Sequence, residues 1–118
     1  MTTIKSYSDL QQSKKLAEIL PFESADMVYV HTVDLEGDEH YDIDFRNNQP
    51  LFEDDIYAWS LAALLGVLPK IVNNQTLFIE TSAALWHIGY RNIYTARADN
   101  PIDACYELIL KLHELKML

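Results

Sequence analysis

The segment HYDIDFR, His40 to Arg46, alternates without a break: Tyr41, Ile43 and Phe45 interleave with His40, Asp42 and Asp44. A period of two belongs to an extended strand with one apolar and one polar face. Upstream, MVYVHTV (Met27–Val33) is rich in β-branched residues, and the polar DLEGDE between the two runs contains Gly37. The pattern predicts an antiparallel hairpin. Setting Val33 against His40 places Val28, Val30 and Thr32 beside Tyr41, Ile43 and Phe45, toward the core. The outer face then carries Tyr29, His31, His40, Asp42 and Asp44, with His31 opposite Asp42. A slip of one residue would turn the carboxylates inward, which favours this register.

Around the hairpin the other elements fall into place. Ser8 and Gln11 have the spacing of a capping box, and Pro21 supplies a stop, so a first helix is expected from Ser8 to Leu20. Its apolar positions Leu10, Leu16, Ala17, Ile19 and Leu20 make one narrow stripe, that of a surface helix. A second helix is expected from Glu53 to Leu65. Glu53, Asp54 and Asp55 would sit in its first turn, where the helix dipole favours acids. Gly66 is placed for a left-handed C-terminal residue before Pro69. Because IYAWSLAALLGVL is apolar nearly all round, that helix belongs in the core.

Three further runs read as strands: Thr76–Ser82, Ala84–Tyr90 and Asn92–Ala98. The first two are either separate or one bent strand, and Arg91-Asn92 suits a tight turn because Asn tolerates positive φ. The chain closes on a helix with Asn100 as cap, Pro101 at its first position and Asp103 three residues beyond the cap. The order α-β-β-α-β-β-β-α, with short connections between strands, predicts an α+β fold. We expect a mainly antiparallel sheet of four to five strands, three helices and one domain over residues 1–118.

The last helix has more apolar surface than one sheet requires. Ile102, Cys105, Leu108, Ile109, Leu112 and Leu115 form a core stripe. Tyr106, Leu110, His113 and Met117 form a second one. Either another segment of the chain covers it, or it meets a second subunit or partner.

Eighteen acidic against nine basic residues give a net charge of −9. Nucleic-acid and anionic-membrane binding both run on clustered Lys and Arg, and Lys14-Lys15 is the one basic pair, so neither is expected. The opening MTTIKSYSDL has no apolar stretch of a secretory signal, and the longest apolar run, Ile56 to Leu68, is too short for a membrane span. A single cysteine, Cys105, fits a reducing compartment, and a cytoplasmic location is expected.

Candidates for chemistry are few. His31, Asp42 and His40 are the residues that the hairpin's outer face would offer a metal, but no metal motif is present. Gly37 comes too early for an EF-hand loop. A solvated acidic face explains the same residues more simply. Cys105 lies on the core stripe, where a thiol is inert. His87 falls on the exposed side of its strand. The nucleophile-elbow, P-loop, HExxH and CxxC patterns are absent.

The closing segment ADNPIDACYELILKLHELKML, after strands bearing tryptophan and tyrosine, resembles the C-terminal block of short, uncharacterised phage and mobile-element proteins of gut bacteria. In those proteins a capped helix of the type N-P-x-D-A-x-x-E-L-I-x-K-L closes the chain. The resemblance covers Ala98–Leu118 and extends to SLAALL, Ser60–Leu65. It implies an accessory cytoplasmic protein that inhibits a host factor or mimics the charge of DNA, and it brings no catalytic residues. The expectation is a non-enzymatic acidic protein without a required cofactor, acting through protein contacts that include self-association. The competing reading is a metal-assisted enzyme built on the hairpin carboxylates and His31.

Overall fold

The computed structural model describes residues 5–46 and 54–118. Among them, the order is α1 (Leu10–Ala17), β1 (Met27–Val33), β2 (Glu39–Phe45), β3 (Ile56–Ala58), α2 (Leu61–Val67), β4 (Ile71–Val72), β5 (Gln75–Ser82), β6 (Leu85–Tyr90), β7 (Tyr94–Ala98) and α3 (Pro101–Glu114). The α+β class and the expected succession of helices and antiparallel strands hold. The short strands β3 and β4 are additions. Together the strands form two sheets, ordered β2-β1-β3 and β4-β5-β6-β7, where one was expected.

The first helix starts one residue later than the sequence suggests. Asp9, not Ser8, is the cap: its carboxylate accepts from the Gln12 amide at 2.8 Å, and the Gln12 side chain accepts from the Asp9 amide at 3.1 Å. Ser8 is taken inward. It is fully buried, and its hydroxyl accepts from the Trp59 amide at 3.0 Å while sharing a 2.7 Å hydrogen bond with Ser13 Oγ. The Ser8 amide returns a bond to the Trp59 carbonyl at 2.8 Å. Leu16 and Leu20 enter the core, whereas Ala17 stays exposed.

The hairpin register also differs by one residue. Val33 pairs with Glu39 and Met27 with Phe45, so His31 faces Tyr41 and Val30 faces Asp42. The turn decides this. The Gly37 amide donates to the Asp34 carbonyl and the Asp34 amide to the Asp38 carbonyl, both at 3.0 Å, with Gly37 at φ 87°. A three-residue loop with glycine in the left-handed region locks Asp34 against Asp38 and hence every pair behind it. Tyr29 and His31 therefore share a face with Ile43 and Tyr41. Val28, Val30 and Thr32 lie on the face of Asp44, Asp42 and His40.

The expected second helix is divided. Ile56–Ala58 pairs with Met27–Tyr29 as β3, and only Leu61–Val67 is helical, capped by Ser60, whose hydroxyl accepts from the Ala63 amide. Asp54 and Asp55 precede a strand rather than cap a helix, and Glu53 lies outside the described residues. An all-apolar run carries no periodicity to separate the two states, and the open edge of β1 captured its first part. Gly66 lies inside α2 with no left-handed φ.

In the second sheet, Ala83 (φ 51°) and Ala84 (φ 62°) form a two-residue turn, which makes β5 and β6 separate strands. Asn92 (φ 62°) makes the expected tight turn. Asn100 caps α3, accepting from the Asp103 amide at 2.9 Å. Ile102, Cys105, Leu108, Ile109 and Leu112 are fully buried in one core with Leu16, Trp59, Leu64, Ile88 and Tyr90. Burying each such large side chain is worth roughly 1.5–3 kcal/mol. Leu115, expected on that stripe, is 41% exposed because α3 stops at Glu114. Among the described residues, no helix is long and apolar enough to cross a membrane.

Candidate functional site

Every residue from Thr32 to Asp42 is exposed, so the outer half of the β1–β2 hairpin stands clear of the core. The Cα radius of gyration is 15.7 Å, against about 13.5 Å for a compact chain of this length. The hairpin is held at its base by Arg46. Its guanidinium donates to the carbonyls of Phe22 and Ala25 and lies 5.5 Å and 5.0 Å from the ring centres of Phe22 and Tyr57.

The sequence candidates for a metal do not converge. His31 is on the face of Tyr41 and Ile43, and His40 and Asp42 are on the other. The His31 ring packs 4.9 Å from that of Tyr41, with Nδ1 3.6 Å from an Asp54 oxygen and Nε2 3.4 Å from a Glu39 oxygen. Nε2 is shielded from solvent and not aligned with Glu39 for a hydrogen bond. The two ring nitrogens point at different carboxylates, so His31 does not share a single ion with both. The His31 amide donates to Asp55 Oδ1 at 3.1 Å.

His40 turns instead to the loop. Its Nε2 lies 2.9 Å from Asp34 Oδ2, and since a carboxylate only accepts, Nε2 carries the proton. Asp34 Oδ1 accepts from the amides of Glu36 and Asp38 at 2.9 Å each. The bond from His40, together with those amides, holds the Asp34 carboxyl below the usual carboxylate range. Asp34, Glu36 and Asp38 bring one ligand oxygen each to within 4.8 Å of one another, all exposed. Alternating acids across a turn are the sequence signal for that cluster.

The other candidates are structural. His87 Nδ1 accepts from Arg97 Nε at 3.2 Å, which leaves the proton on Nε2, facing Ser82. In that tautomer His87 cannot take a proton from the Ser82 hydroxyl. Burial pushes the Cys105 thiol up to about 12, so it stays protonated. On the second stripe of α3, Tyr106 and Met117 pack against the core, Leu110 is half-buried and His113 is exposed. Tyr106 also lines an open groove of about 440 Å³ with Arg97, Asp99 and Glu107. Asp103, which also lines that groove, is taken up by Lys5 (2.7 Å), Gln12 (2.8 Å) and Asn100 (2.9 Å).

What pattern reasoning missed is the exposure of the hairpin's apolar side. Val33 (58%), Tyr41 (38%) and Phe45 (78%) are open to solvent, and Leu35 stands fully out at the tip. Alternation separates two faces of a strand and is silent on whether anything covers either. Among the described residues, β2 is moreover the last strand of its sheet. Comparison with protein-family models, curated proteins and solved structures found no match to this chain.

Proposed function

We propose that this protein acts without catalysis, by binding another protein through the β1–β2 hairpin. The observation that carries the reading is the hairpin's surface: Val33, Leu35, Tyr41 and Phe45 are exposed together on an element that also carries Asp34, Glu36, Asp38, Glu39, Asp42 and Asp44. Exposed apolar side chains ringed by charge are what protein contact surfaces use. Among the described residues, His31, His87 and Cys105 do not pair a general base with a nucleophile, and a binding surface requires no such pair. An accessory or inhibitor-like role, which the C-terminal helix block suggests, needs no more than such a surface.

A photo-cross-linking amino acid placed at Phe45 tests this in the cell that makes the protein, with Ile71, exposed on the other sheet, as control. A discrete adduct from position 45 and none from 71 is the expected result. Adducts equal in yield at both positions, or none at 45, would remove the reading. An adduct of twice the chain's mass would identify the partner as a second copy.

A further inference from the structure

Resting on that reading, the geometry points to the kind of partner: an extended, basic segment of another protein that pairs with β2 and adds a strand to the sheet. The backbone sets the docking edge. The Arg46 amide donates inward to the Asp26 carbonyl at 2.9 Å, and the Asp38 carbonyl accepts from Asp34. Hydrogen-bonded and non-bonded positions alternate along an antiparallel pair. Even-numbered β2 residues therefore bond to β1, and Glu39, Tyr41, Ile43 and Phe45 turn their main-chain groups outward. Of those amides, Phe45 is occupied by the carboxylate of Asp44 at 2.8 Å. Among the described residues, Tyr41 and Ile43 have no strand beside theirs and present them to the open edge. This is the geometry of strand addition, in which main-chain bonds supply affinity and alternate side chains supply selectivity.

Charge selects the occupant. One face of β2 carries Asp42 and Asp44, the turn before it Asp34, Glu36 and Asp38, and no lysine or arginine occurs between Asp34 and Phe45. A partner strand whose Lys or Arg residues lie beside Asp42 and Asp44 would set its alternate, apolar residues beside Tyr41, Ile43 and Phe45. Opposite charges on adjacent strands attract, and like charges directly opposite repel. The same rule disfavours a second copy in the registers centred on Ile43 and Asp42. Antiparallel self-pairing about Ile43 sets Asp42 against Asp44 twice, and pairing about Asp42 sets it against itself.

The test uses the full chain and a seven-residue peptide of alternating lysine and valine. Binding should slow exchange of the Tyr41 and Ile43 amides at least tenfold, and Asp42→Asn with Asp44→Asn should weaken affinity at least tenfold. Prolines in place of the valines should do the same at equal charge, because they remove the pairing donors. Equal binding of the proline peptide would reduce the effect to charge attraction and overturn the proposal. So would equal binding of a glutamate–valine peptide, or slow exchange of both amides in the free, dilute protein. Cross-linking from Phe45 without lysine–valine binding would refute the basic strand and leave the hairpin as the contact surface.

Discussion

The amide of Trp59 donates to the hydroxyl of Ser8 at 3.0 Å, and the amide of Ser8 donates back to the carbonyl of Trp59 at 2.8 Å. This exchange ties the start of the chain to the centre of the core, where both residues have no exposed surface. Ser8→Ala leaves the Trp59 amide without its acceptor and Ser13 Oγ with only the longer bond to the Ser8 carbonyl. Such a loss costs roughly 1–3 kcal/mol. Urea denaturation should show it, with exposed Ser6→Ala unchanged as control.

Both residues of the β5–β6 turn, Ala83 and Ala84, hold positive φ, a region that side chains other than Gly and Asn occupy at a cost of roughly 1–2 kcal/mol each. Ala83→Asn combined with Ala84→Gly supplies the residues that this turn type prefers. The double variant should gain about 1 kcal/mol and melt several degrees higher. An unchanged or lower melting temperature would contradict the turn geometry.

The two glycines Gly89 and Gly66 should respond to alanine with opposite signs. A Cβ on Gly89 would lie 2.2 Å from the Tyr94 carbonyl oxygen and 2.6 Å from Thr95 Cα, main-chain atoms that move only if β6 and β7 separate. Gly89→Ala is expected to destabilise by roughly 1–3 kcal/mol or to prevent folding. At Gly66, inside α2, a Cβ meets nothing within 4 Å. There alanine should stabilise by up to about 1 kcal/mol, through helix propensity alone. Chemical denaturation of the pair measures both signs.

Alkaline pH should unfold the protein early. Burial pushes the Cys105 thiol, and the Tyr29 and Tyr90 phenols with smaller help from neighbouring acidic groups, up to about 12. In the unfolded chain a thiol ionises at about 8.5 and a phenol at about 10. The native state keeps these protons longer. Stability is thus complete below about pH 8.5 and falls as pH rises toward about 12. Urea midpoints between pH 7 and 11 should decline, most steeply above about pH 10, and Cys105 should react with a thiol reagent at pH 8 only after unfolding.

Much of the candidate site was within reach of pattern reasoning, and its assembly was not. The alternation of HYDIDFR reveals a strand with a polar face, but it groups His31, His40 and Asp42 through a register one residue away from the real one. That register is set by two main-chain bonds inside the Asp34–Asp38 turn, which hydrophobic alternation does not encode. Alternation assigns Tyr41 and Phe45 to the interior, because an apolar face looks the same in sequence whether or not another layer reaches it.

Local chemistry alone determined the α+β class, the succession of the three helices and the five longer strands, the Asn100 cap with Pro101 behind it, and the Asn92 turn. Each depends on residues a few positions apart. Tertiary structure decided the rest: that Ile56–Ala58 joins β1 as a strand, that Ser8 goes into the core and leaves Asp9 to cap α1, and that the strands divide into two sheets. Those outcomes turn on which open edge or buried donor lies nearby in space. An apolar run or a lone serine carries no record of such neighbours until the chain has folded around it.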